Sequence, residues 1–325
     1  MMTTIRLLLG FAFAALAFAP AASAQSDFAG RTINILVPFP PGGTSDVVTR
    51  AIAAKVAESL KVTVVIDNRS GGGGVVAAIA TKQAAPDGTT LFLANNGLFA
   101  VTPAISSDVR FDPVKDFAPV TPLVLFPSVL IVPASSPAHT LKELVEYGRS
   151  KPSGLSFASQ GIGSGGQIMG ELLRLKTGLK MVHVPYRGAG PATQDVAGGS
   201  IDMLFTSYIS AAGQIQGGQV RVIAFTGQKR SPILPDVPTA AEQGFAGIEM
   251  DVWHGIVAPA GTPAPIVHEL NAEFVKAAQS PDVVKMVSAQ AADILTSTPE
   301  EFAKLIAKDI DRLGGAVRAA GIKAQ

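Results

Sequence analysis

VPFPPGGTSDVVTR, residues 37–50, is the stretch that decides the fold. It follows the β-branched apolar run RTINILV, residues 31–37, which is typical of a buried strand. From its second half onward the chain has Val48, Ile52 and Val56 at a spacing of four, which predicts an amphipathic helix. Prolines end the strand, and glycines let the chain turn with positive φ. The stretch therefore predicts a strand, a glycine-rich turn and a helix, the unit from which α/β folds are built.

The same unit repeats along the chain. Strands are predicted at 62–67, 89–94, 128–133, 155–159, 181–185, 202–205, 220–225 and 253–259. Helical windows lie between most of them, and Thr140 with Glu143 forms the T-x-x-E pattern of a helix capping box. Three further helical windows close the chain, at 264–279, 281–290 and 299–313. The alternation predicts an α/β protein with mostly parallel sheets flanked by helices.

Residues 1–24 have the features of a secretory signal peptide. Arg6 supplies the positive start, residues 7–20 are apolar, and Ala22-Ser23-Ala24 is an A-x-A cleavage pattern. The apolar part is shorter than the roughly 20 residues of a membrane-spanning helix. We therefore expect export, with cleavage after Ala24.

Composition favours a soluble periplasmic protein whose partner is a small molecule or another protein. Removal of residues 1–24 from the 325 leaves 301, enough for two domains, and leaves 25 basic and 25 acidic residues, because Arg6 is the one charge removed. A chain with no net charge and no cluster of basic residues has no positive electrostatic potential that would attract nucleic acid or anionic lipid. With 0 cysteines, stability comes from burial, and a lipid anchor on an N-terminal Cys is excluded.

Two apolar strands closed by proline-bearing loops divide the chain. LVLFPSVLIVPASSP (123–137) and MDVWHGIVAPAGTP (250–263) are predicted to be the points at which the chain crosses between two lobes. The domains predicted on this basis are a signal peptide (1–24), a discontinuous first lobe (25–130 plus 255–325) and a second lobe (131–254).

Three strand-to-helix turns carry small residues: PFPPGGTSD (38–46), NRSGGGG (68–74) and SQGIGSGGQ (159–167). We call 38–46 the first glycine turn and 159–167 the second glycine turn. Glycine brings backbone N–H groups close to a ligand, and a helix N-terminus adds partial positive charge, so each turn can hold an anion. In an open α/β sheet such turns gather at the carboxyl ends of the strands, where ligands bind.

No motif for catalysis, a metal or a cofactor accompanies these turns. GIGSGG (161–166) matches the dinucleotide pattern G-x-G-x-x-G, but KMVHVPYR (180–187) lacks the acid that would hold the ribose. A nucleophile elbow is absent, since Ile162 stands two positions before Ser164, and no H-x-x-x-H pair offers a zinc site. His183, between two valines, is interpreted as a strand histidine with a local hydrogen bond. We expect a binding protein with no enzyme activity, metal or cofactor.

The ordered motifs allow a family to be identified. The chain resembles the Bug family, the extracytoplasmic receptors of tripartite tricarboxylate transporters. The resemblance covers nearly all of the chain after residue 24 and is carried by VPFPPGGTSDVVTR, VVIDNRSGGGG, APDGTTLFLA, GIGSGGQIMGELL, VPYRGAGPATQDVAGGSIDMLF, LPDVPTAAEQG and WHGIVAPAGTP. It implies a two-lobed periplasmic binding protein of type II-like fold with the ligand cleft between the lobes.

The resemblance also implies a ligand and the residues that hold it. The ligand would be a small organic carboxylate, either a di- or tricarboxylate or an aromatic acid. The predicted ligand-binding residues are Phe39, Gly42, Gly43, Thr44, Ser45 and Asp46 in the first glycine turn, Gly161, Gly163, Ser164 and Gln167 in the second, and Asn95 or Asn96, Tyr186 and Arg187 elsewhere. Gln167 departs from the family, which usually has His there. Asp46 has an alternative role, since an acid in the first turn of a helix is favoured by the helix dipole.

The expected partners are the membrane components of such a transporter, with the protein acting as a monomer in the periplasm. A ligand-sensing adaptor for a membrane sensor kinase would use the same binding chemistry. A secreted hydrolase is a further alternative, and it would need Ser45 or Ser164 to be activated by a distant histidine.

Overall fold

The structure is a computed structural model that describes residues 28, 30–39, 41–42, 44–71, 74–106, 109–161, 164–186, 188–227, 229–289, 292–319 and 321. The predicted signal peptide, residues 1–24, lies outside them. Among the described residues, no helix is long and apolar enough to span a membrane.

Strands and helices alternate along most of the chain, as the sequence predicts. The strands are β1 (Thr32–Val37), β2 (Thr63–Asn68), β3 (Thr90–Asn95), β4 (Phe117–Phe126), β5 (Ser128–Pro133), β6 (Leu155–Ser159), β7 (Met181–Pro185), β8 (Met203–Ser207), β9 (Val220–Phe225), β10 (Val252–Pro259) and β11 (Asp293–Ile294). The helices are α1 (Thr44–Leu60), α2 (Val75–Lys82), α3 (Thr102–Ile105), α4 (Leu141–Ser150), α5 (Gly165–Thr177), α6 (Ala189–Ala197), α7 (Tyr208–Gln216), α8 (Ala264–Ala278), α9 (Pro281–Ala289), α10 (Pro299–Asp309) and α11 (Gly315–Ala319). Two π-helical segments, Gly97–Val101 and Ile310–Gly314, precede α3 and α11.

The strands form two separate sheets, and these define two lobes. The first sheet has the order β11-β4-β10-β3-β1-β2 and the second the order β7-β6-β8-β5-β9. The core residues of the first sheet pack against α1 and α8, and those of the second pack against α4 and α5. This two-lobed α/β architecture confirms the predicted fold class.

Both sheets are mixed, whereas the sequence predicts mostly parallel pairing. In the second sheet β6 is parallel to β7 and β8, but β5 is antiparallel to both of its neighbours. In the first sheet β1 is parallel to β2 and β3, but β10 is antiparallel to β3 and β4. The reversed strands β5 and β10 are those that enter a sheet directly from the other one, so they do not follow a βα crossover within their own sheet.

The chain changes sheet at two places. β4 ends at Phe126 and β5 begins at Ser128, so Pro127 alone separates the sheets. The return passes through residues 226–251, between β9 and β10. The lobe boundaries 25–130 plus 255–325 and 131–254 stay a prediction.

The end of the chain packs against both lobes. Phe302 and Ile306 of α10 belong to a cluster with Trp253 of the first sheet. Leu313 and Val317, a few residues later, belong to the core cluster of the second lobe. Leu313 is part of the π-helix Ile310–Gly314, which follows α10 and contacts the other π-helix, Gly97–Val101. The C-terminal residues therefore form a further packed connection between the lobes.

β4 was not among the predicted strands. Its sequence contains Pro119 and Pro122, and proline lacks the N–H that a central strand needs. The structure accommodates them because the register with β10 shifts at the pairs Val257–Pro119 and Gly255–Pro122. β-Bulges of this kind are one of the few settings in which a strand tolerates proline.

Candidate functional site

A cavity of about 1010 Å³ lies between the two lobes. Phe39, Ser45 and Asn95 line it from the first lobe, and Gly161, Ser164 and Ser207 line it from the second. These residues lie at or just beyond the carboxyl ends of β1, β3, β6 and β8, where an α/β fold is expected to bind its ligand.

The first glycine turn connects β1 to α1 and lines the cavity through Phe39 and Ser45. Gly42 has a φ of 82°, which only glycine adopts readily. Its N–H donates a hydrogen bond of 2.9 Å to Oδ2 of Asp46, one turn into the helix. The carboxylate of Asp46, which belongs to the same segment, therefore fixes the conformation of the turn.

Asp46 is at the centre of a hydrogen-bond network behind this turn. Its carboxylate also accepts from Nε of Arg50 at 3.0 Å and from Nδ2 of Asn68 at 2.9 Å. Asn68 donates to the carbonyl oxygen of Phe39 at 3.0 Å as well. Burial would raise the pKa of Asp46, but hydrogen bonds from Arg50, Gly42 and Asn68 outweigh it and hold the pKa below its usual value. The ionised carboxylate thus holds the turn directly at Gly42 and, through Asn68, at Phe39.

The second glycine turn connects β6 to α5. Gly161 has a φ of 133°, again accessible to glycine, and Ser164 is the N-cap of α5. The Ser164 side chain makes no capping hydrogen bond, and its buried Oγ has no hydrogen-bond partner among the described residues. Since a buried hydroxyl without a partner is costly, Ser164 is a candidate for contact with a ligand.

Ser159 and His183 support the second glycine turn from behind. Oγ of the fully buried Ser159 accepts from the N–H of Gly161 at 3.2 Å and lies 2.7 Å from Nε2 of His183. Burial lowers the pKa of His183. The structure therefore confirms the interpretation of His183 as a strand histidine with a local hydrogen bond.

A third group of polar residues at the cavity lies at the N-terminus of α7 and was not predicted from the sequence. Thr206, Ser207 and Ser210 line the cavity there. Ser207 Oγ lies 2.7 Å from Ser210 Oγ, and the buried Thr206 Oγ1 has no partner among the described residues. The signal was present in the sequence, because FTSYIS (205–210) follows a predicted strand and begins with N-cap residues.

The floor of the cavity is formed where the lobes meet. Asn95 accepts a hydrogen bond of 2.9 Å from the N–H of Leu98, and Asn96 donates one of 2.7 Å to the carbonyl oxygen of Asp251. Oδ1 of Asn96 has no partner in the described part of the chain. Asn96 thus joins the end of β3 to the residue before β10, and Asn95 fixes the turn that follows β3.

His254 of β10 also lines this floor and was assigned no role from the sequence. Its ring stacks on Phe39, with centroids 5.2 Å apart, and meets Phe126 edge-on at 5.0 Å. Burial lowers the pKa of His254 to about 3, so the imidazole is neutral. Its Nδ1 has no hydrogen-bond partner among the described residues.

The other predicted residues lie elsewhere. Gly42, Asp46, Gln167 and Tyr186 are not among the residues that line the cavity, and Gln167 is buried in α5. The Tyr186 hydroxyl donates to Oδ2 of Asp195 at 2.5 Å, and burial together with Asp195 raises the pKa of Tyr186 to about 12. Gly43, Gly163, Arg187 and the side chain of Thr44 lie outside the described residues.

The arrangement presents neutral groups to a ligand. None of the described residues that line the cavity is Asp, Glu, Lys or Arg. Helix N-termini of α1, α5 and α7 face it through Ser45, Ser164 and Ser207. Within the described ranges, no group of three or more His, Asp or Glu side chains could hold a metal. Hydroxyls and helix N-termini are the groups that bind an anion without a counter-charge.

Known proteins of the same kind match this chain over almost its full length. The family described as "Tripartite tricarboxylate transporter family receptor" matches residues 48–322. The UPF0065 protein in the tcbD-tcbE intergenic region of Pseudomonas sp. (strain P51) is 37% identical over 94% of this chain and 91% of its own length. Protein BugT of Bordetella pertussis is 33% identical over 99% of both chains.

Solved structures show the same fold. The structure "R. palustris Rpa4515 with adipate" is 31% identical, has a TM-score of 0.79, and covers 90% of this chain and 98% of that one. "MatC (Rpa3494) from Rhodopseudomonas palustris with bound malate" is 33% identical, has a TM-score of 0.75, and covers 88% of this chain and 98% of that one. Given the family match, these relatives and the two-lobed fold with its central cavity, the chain belongs to the Bug family, the periplasmic receptors of tripartite tricarboxylate transporters.

Proposed function

We propose that the protein is a periplasmic receptor that binds a small organic carboxylate between its lobes and delivers it to the membrane components of a tripartite tricarboxylate transporter. The observation that carries this proposal is the unpaired, buried Oγ of Ser164 at the N-terminus of α5, since Ser164 is one of the residues that line a cavity whose described lining has no ionised side chain. A carboxylate satisfies this hydroxyl, which would otherwise stay unpaired.

The relatives support a carboxylate as the ligand. One solved relative is described with adipate and another with bound malate, and both share the fold over nearly the whole described chain. Both of those ligands are carboxylic acids, and the cavity of this chain offers the groups that such anions need.

Neutral donors are sufficient for useful affinity. A hydrogen bond to a charged group contributes about 1.5–3 kcal/mol, and a micromolar complex requires roughly 8 kcal/mol. Four donors divided between Ser45, Ser164, Ser207 and the exposed N–H groups beside them supply most of this before the cost of closure is subtracted. The backbone of Gly161, which lines the cavity, and of Gly43 and Gly163 is proposed to add contacts.

Because the hydrogen-bond donors are divided between the two lobes, we expect the lobes to close on the ligand. Ser45 belongs to the first lobe, and Ser164 and Ser207 belong to the second, so one anion reaches all of them only when the lobes approach each other. The ligand then shifts the open–closed equilibrium by the free energy of the added contacts. A membrane partner recognises the closed form, and the protein itself performs no chemistry on the ligand.

Residues 1–24 are proposed to direct export and to be cleaved after Ala24, which places the receptor in the periplasm as a monomer. Edman sequencing of the protein from a periplasmic extract should begin at Gln25. A protein that retains residues 1–24 would contradict this part of the proposal.

The binding proposal is tested with a panel of mono-, di- and tricarboxylates in thermal unfolding and calorimetry. A ligand at about 100 Kd adds about 2.7 kcal/mol of stability. Ser164→Ala should weaken binding by about 10- to 150-fold, the equivalent of one lost hydrogen bond to a charge. Ser150→Ala, at the exposed end of α4, is the matched control. If no carboxylate stabilises the protein, the proposal is wrong.

Delivery is tested separately. Uptake of the radiolabelled ligand should require both the receptor and the membrane components, and X-ray scattering should show a smaller radius of gyration when ligand is bound. An unchanged radius at saturation would contradict closure, and unchanged uptake without the membrane components would contradict delivery.

A further inference from the structure

Two helices of the second lobe begin at serines that line the cavity. Ser164 is the N-cap of α5, and Ser207 is the N-cap of α7. An N-cap serine normally accepts a hydrogen bond from a backbone N–H of the first helical turn, but neither side chain does so here. Thr140 and Thr298, N-caps that are not among the described lining residues, both make that bond. The two serines at the cavity therefore lack the partner that a helix usually provides.

Hydroxyl hydrogens are available at both helix N-termini. The buried Oγ of Ser164 has no hydrogen-bond partner among the described residues. Ser207 Oγ lies 2.7 Å from Ser210 Oγ, and this one bond uses one of the two hydroxyl hydrogens, so the other can donate to a ligand. Thr206, which lines the cavity and is 2% exposed, adds a buried Oγ1 without a partner in the described part of the chain. Buried hydroxyls without partners are costly, which indicates that an acceptor binds here.

The two helix N-termini lie close together because their strands are neighbours. α5 follows β6, α7 follows β8, and these two strands pair in parallel. Adjacent strands lie about 4.8 Å apart, so the segments beyond their carboxyl ends are close as well. A Cβ at Gly166 would lie 2.7 Å from the carbonyl oxygen of Phe205, which shows that the first turn of α5 packs directly on β8.

Gln160 of the second glycine turn connects the two segments. Its Nε2 donates a hydrogen bond of 2.8 Å to the carbonyl oxygen of Phe205 in β8, and its Oε1 accepts one of 3.2 Å from the N–H of Gly166 in α5. One side-chain amide thus holds the first turn of α5 against the strand that leads into α7. Gln160 was assigned no role from the sequence, and we regard it as a positioning residue.

We propose that the N-termini of α5 and α7 bind one carboxylate between them, with one oxygen at Ser164 and the other at Ser207, and that Gln160 sets the distance between the two helices. A carboxylate offers two acceptor oxygens, and both helix N-termini add partial positive charge. We call this the paired serine site (Ser164, Ser207). The inference rests on the proposed function, because it assigns the place of one carboxylate in the same cavity. The first lobe, through Ser45, then contacts the remainder of the ligand.

Acetate is the probe for the paired serine site, since it consists of one carboxylate and one methyl group. It is titrated into the purified ¹⁵N-labelled protein at constant pH and ionic strength. NMR follows the backbone amide signals of Gly165 in α5 and Ile209 in α7, both of which line the cavity. We expect both signals to move with the same Kd, in the millimolar range that two hydrogen bonds to one small anion provide.

Ser164→Ala distinguishes one shared site from two separate sites. In the paired serine site this change in α5 should raise the acetate Kd measured at Ile209 of α7 by about tenfold or more. Ser150→Ala, at the exposed end of α4, is the control and should leave that Kd unchanged. If Ser164→Ala weakens only the response of Gly165, the two N-termini are independent and the inference is wrong.

The reciprocal variant removes both hydroxyls at the start of α7, because either serine of that pair could donate. Ser207→Ala combined with Ser210→Ala should raise the acetate Kd measured at Gly165 of α5 by about tenfold or more. An unchanged Kd at Gly165 would contradict a carboxylate shared between the two helices. This variant also decides the question if Ser164→Ala does not fold.

A change at Gln160 tests its positioning role. Gln160→Met keeps the length of the side chain but removes both hydrogen bonds of the amide, so Gly165 and Ile209 should respond to acetate with different Kd values. Gln160→Asn, whose amide is one methylene too short to reach both partners, should have the same effect and replaces the first variant if that does not fold. A common, unchanged Kd in either folded variant would overturn the role of Gln160.

Failure of the inference can be told apart from failure of the proposed function. A protein that binds adipate or malate in calorimetry, but shows no response of either helix to acetate well above millimolar concentrations, contradicts the paired serine site alone. A protein that binds neither acetate nor any other carboxylate contradicts both.

Discussion

The carboxylate of Asp46 accepts a hydrogen bond of 2.9 Å from the N–H of Gly42, four residues earlier in the chain. The acid that the sequence motif suggests as a ligand contact is thus directed toward its own turn. Arg50 and Asn68 complete the network, and the Asp46 side chain is 3% exposed. Asp46 therefore acts on any ligand through the shape of the first glycine turn.

Replacement of this acid should affect stability and binding together. Asp46→Asn should lower the free energy of unfolding by about 1–3 kcal/mol, because the N–H of Gly42 and the guanidinium of Arg50 lose a charged acceptor. Urea unfolding and calorimetry with a bound carboxylate measure the two effects, with Glu58→Gln on the exposed side of α1 as the control. Weaker binding at unchanged stability would show instead that Asp46 touches the ligand.

Stability should fall in mild acid because of His254. Its pKa is about 3 in the folded protein and near 6.5 when unfolded, so between these values the unfolded chain binds the extra proton. Its contribution is therefore complete above pH 6.5 and is lost as the pH falls toward 3, by up to about 1.4 kcal/mol per pH unit.

The variant His254→Phe isolates this effect, since His183 and the carboxylates remain in both proteins. Unfolding free energies at pH 7.5, 6.5, 5.5 and 5 should decline less steeply for the variant than for the unaltered protein. His268→Phe, on the exposed surface, should keep the original slope. Parallel slopes for His254→Phe and the unaltered protein would contradict burial of a neutral His254.

Ser159→Ala should loosen the second glycine turn from behind. The fully buried hydroxyl holds the N–H of Gly161 and meets His183, so its removal should lower unfolding stability by about 1–3 kcal/mol and weaken ligand binding. Ser164→Ala, on the cavity side, should weaken binding with little loss of stability. A large loss of stability in Ser164→Ala and none in Ser159→Ala would contradict these roles of the two serines.

Asp309→Ala should weaken the packing of the end of α10 against the first sheet. Asp309 Oδ2 accepts from Nε1 of the buried Trp253 at 2.7 Å, and its other oxygen accepts from Arg312 at 3.2 Å. Loss of the acceptor leaves the indole N–H unpaired and should cost about 1–3 kcal/mol in chemical unfolding. The fluorescence of Trp253, the single tryptophan, reports the change directly. Asp311→Ala, two residues away and exposed, should alter neither quantity.

Local patterns predicted the regular elements well. The strands at 128–133, 155–159, 181–185 and 220–225 have the predicted bounds, because each is a short apolar run between turn residues. The capping of α4 by Thr140 is also confirmed, since Thr140 accepts from the N–H of Glu143 at 3.1 Å. β4 was not predicted because its two prolines disfavour a strand in the local sequence. Pairing with β10 nevertheless stabilises it in the folded protein.

The cavity was predictable only in part. Ser45 and Ser164 were identified because N-cap residues beside glycines leave a local signal. The ring contacts of His254 with Phe39 and Phe126 left no such signal, since these residues are far apart in the sequence and meet only when the first sheet assembles. The role of Asp46 depends on Asn68, 22 residues away, and a motif does not show such a contact.

The three connections between the lobes set the kind of motion that the receptor can make. Pro127 and residues 226–251 join the lobes covalently, and the segment that bears Leu313 and Val317 adds a packed connection between them. We expect this third connection to restrain twisting of one lobe against the other, so that an opening of the cavity would be mainly a bending movement.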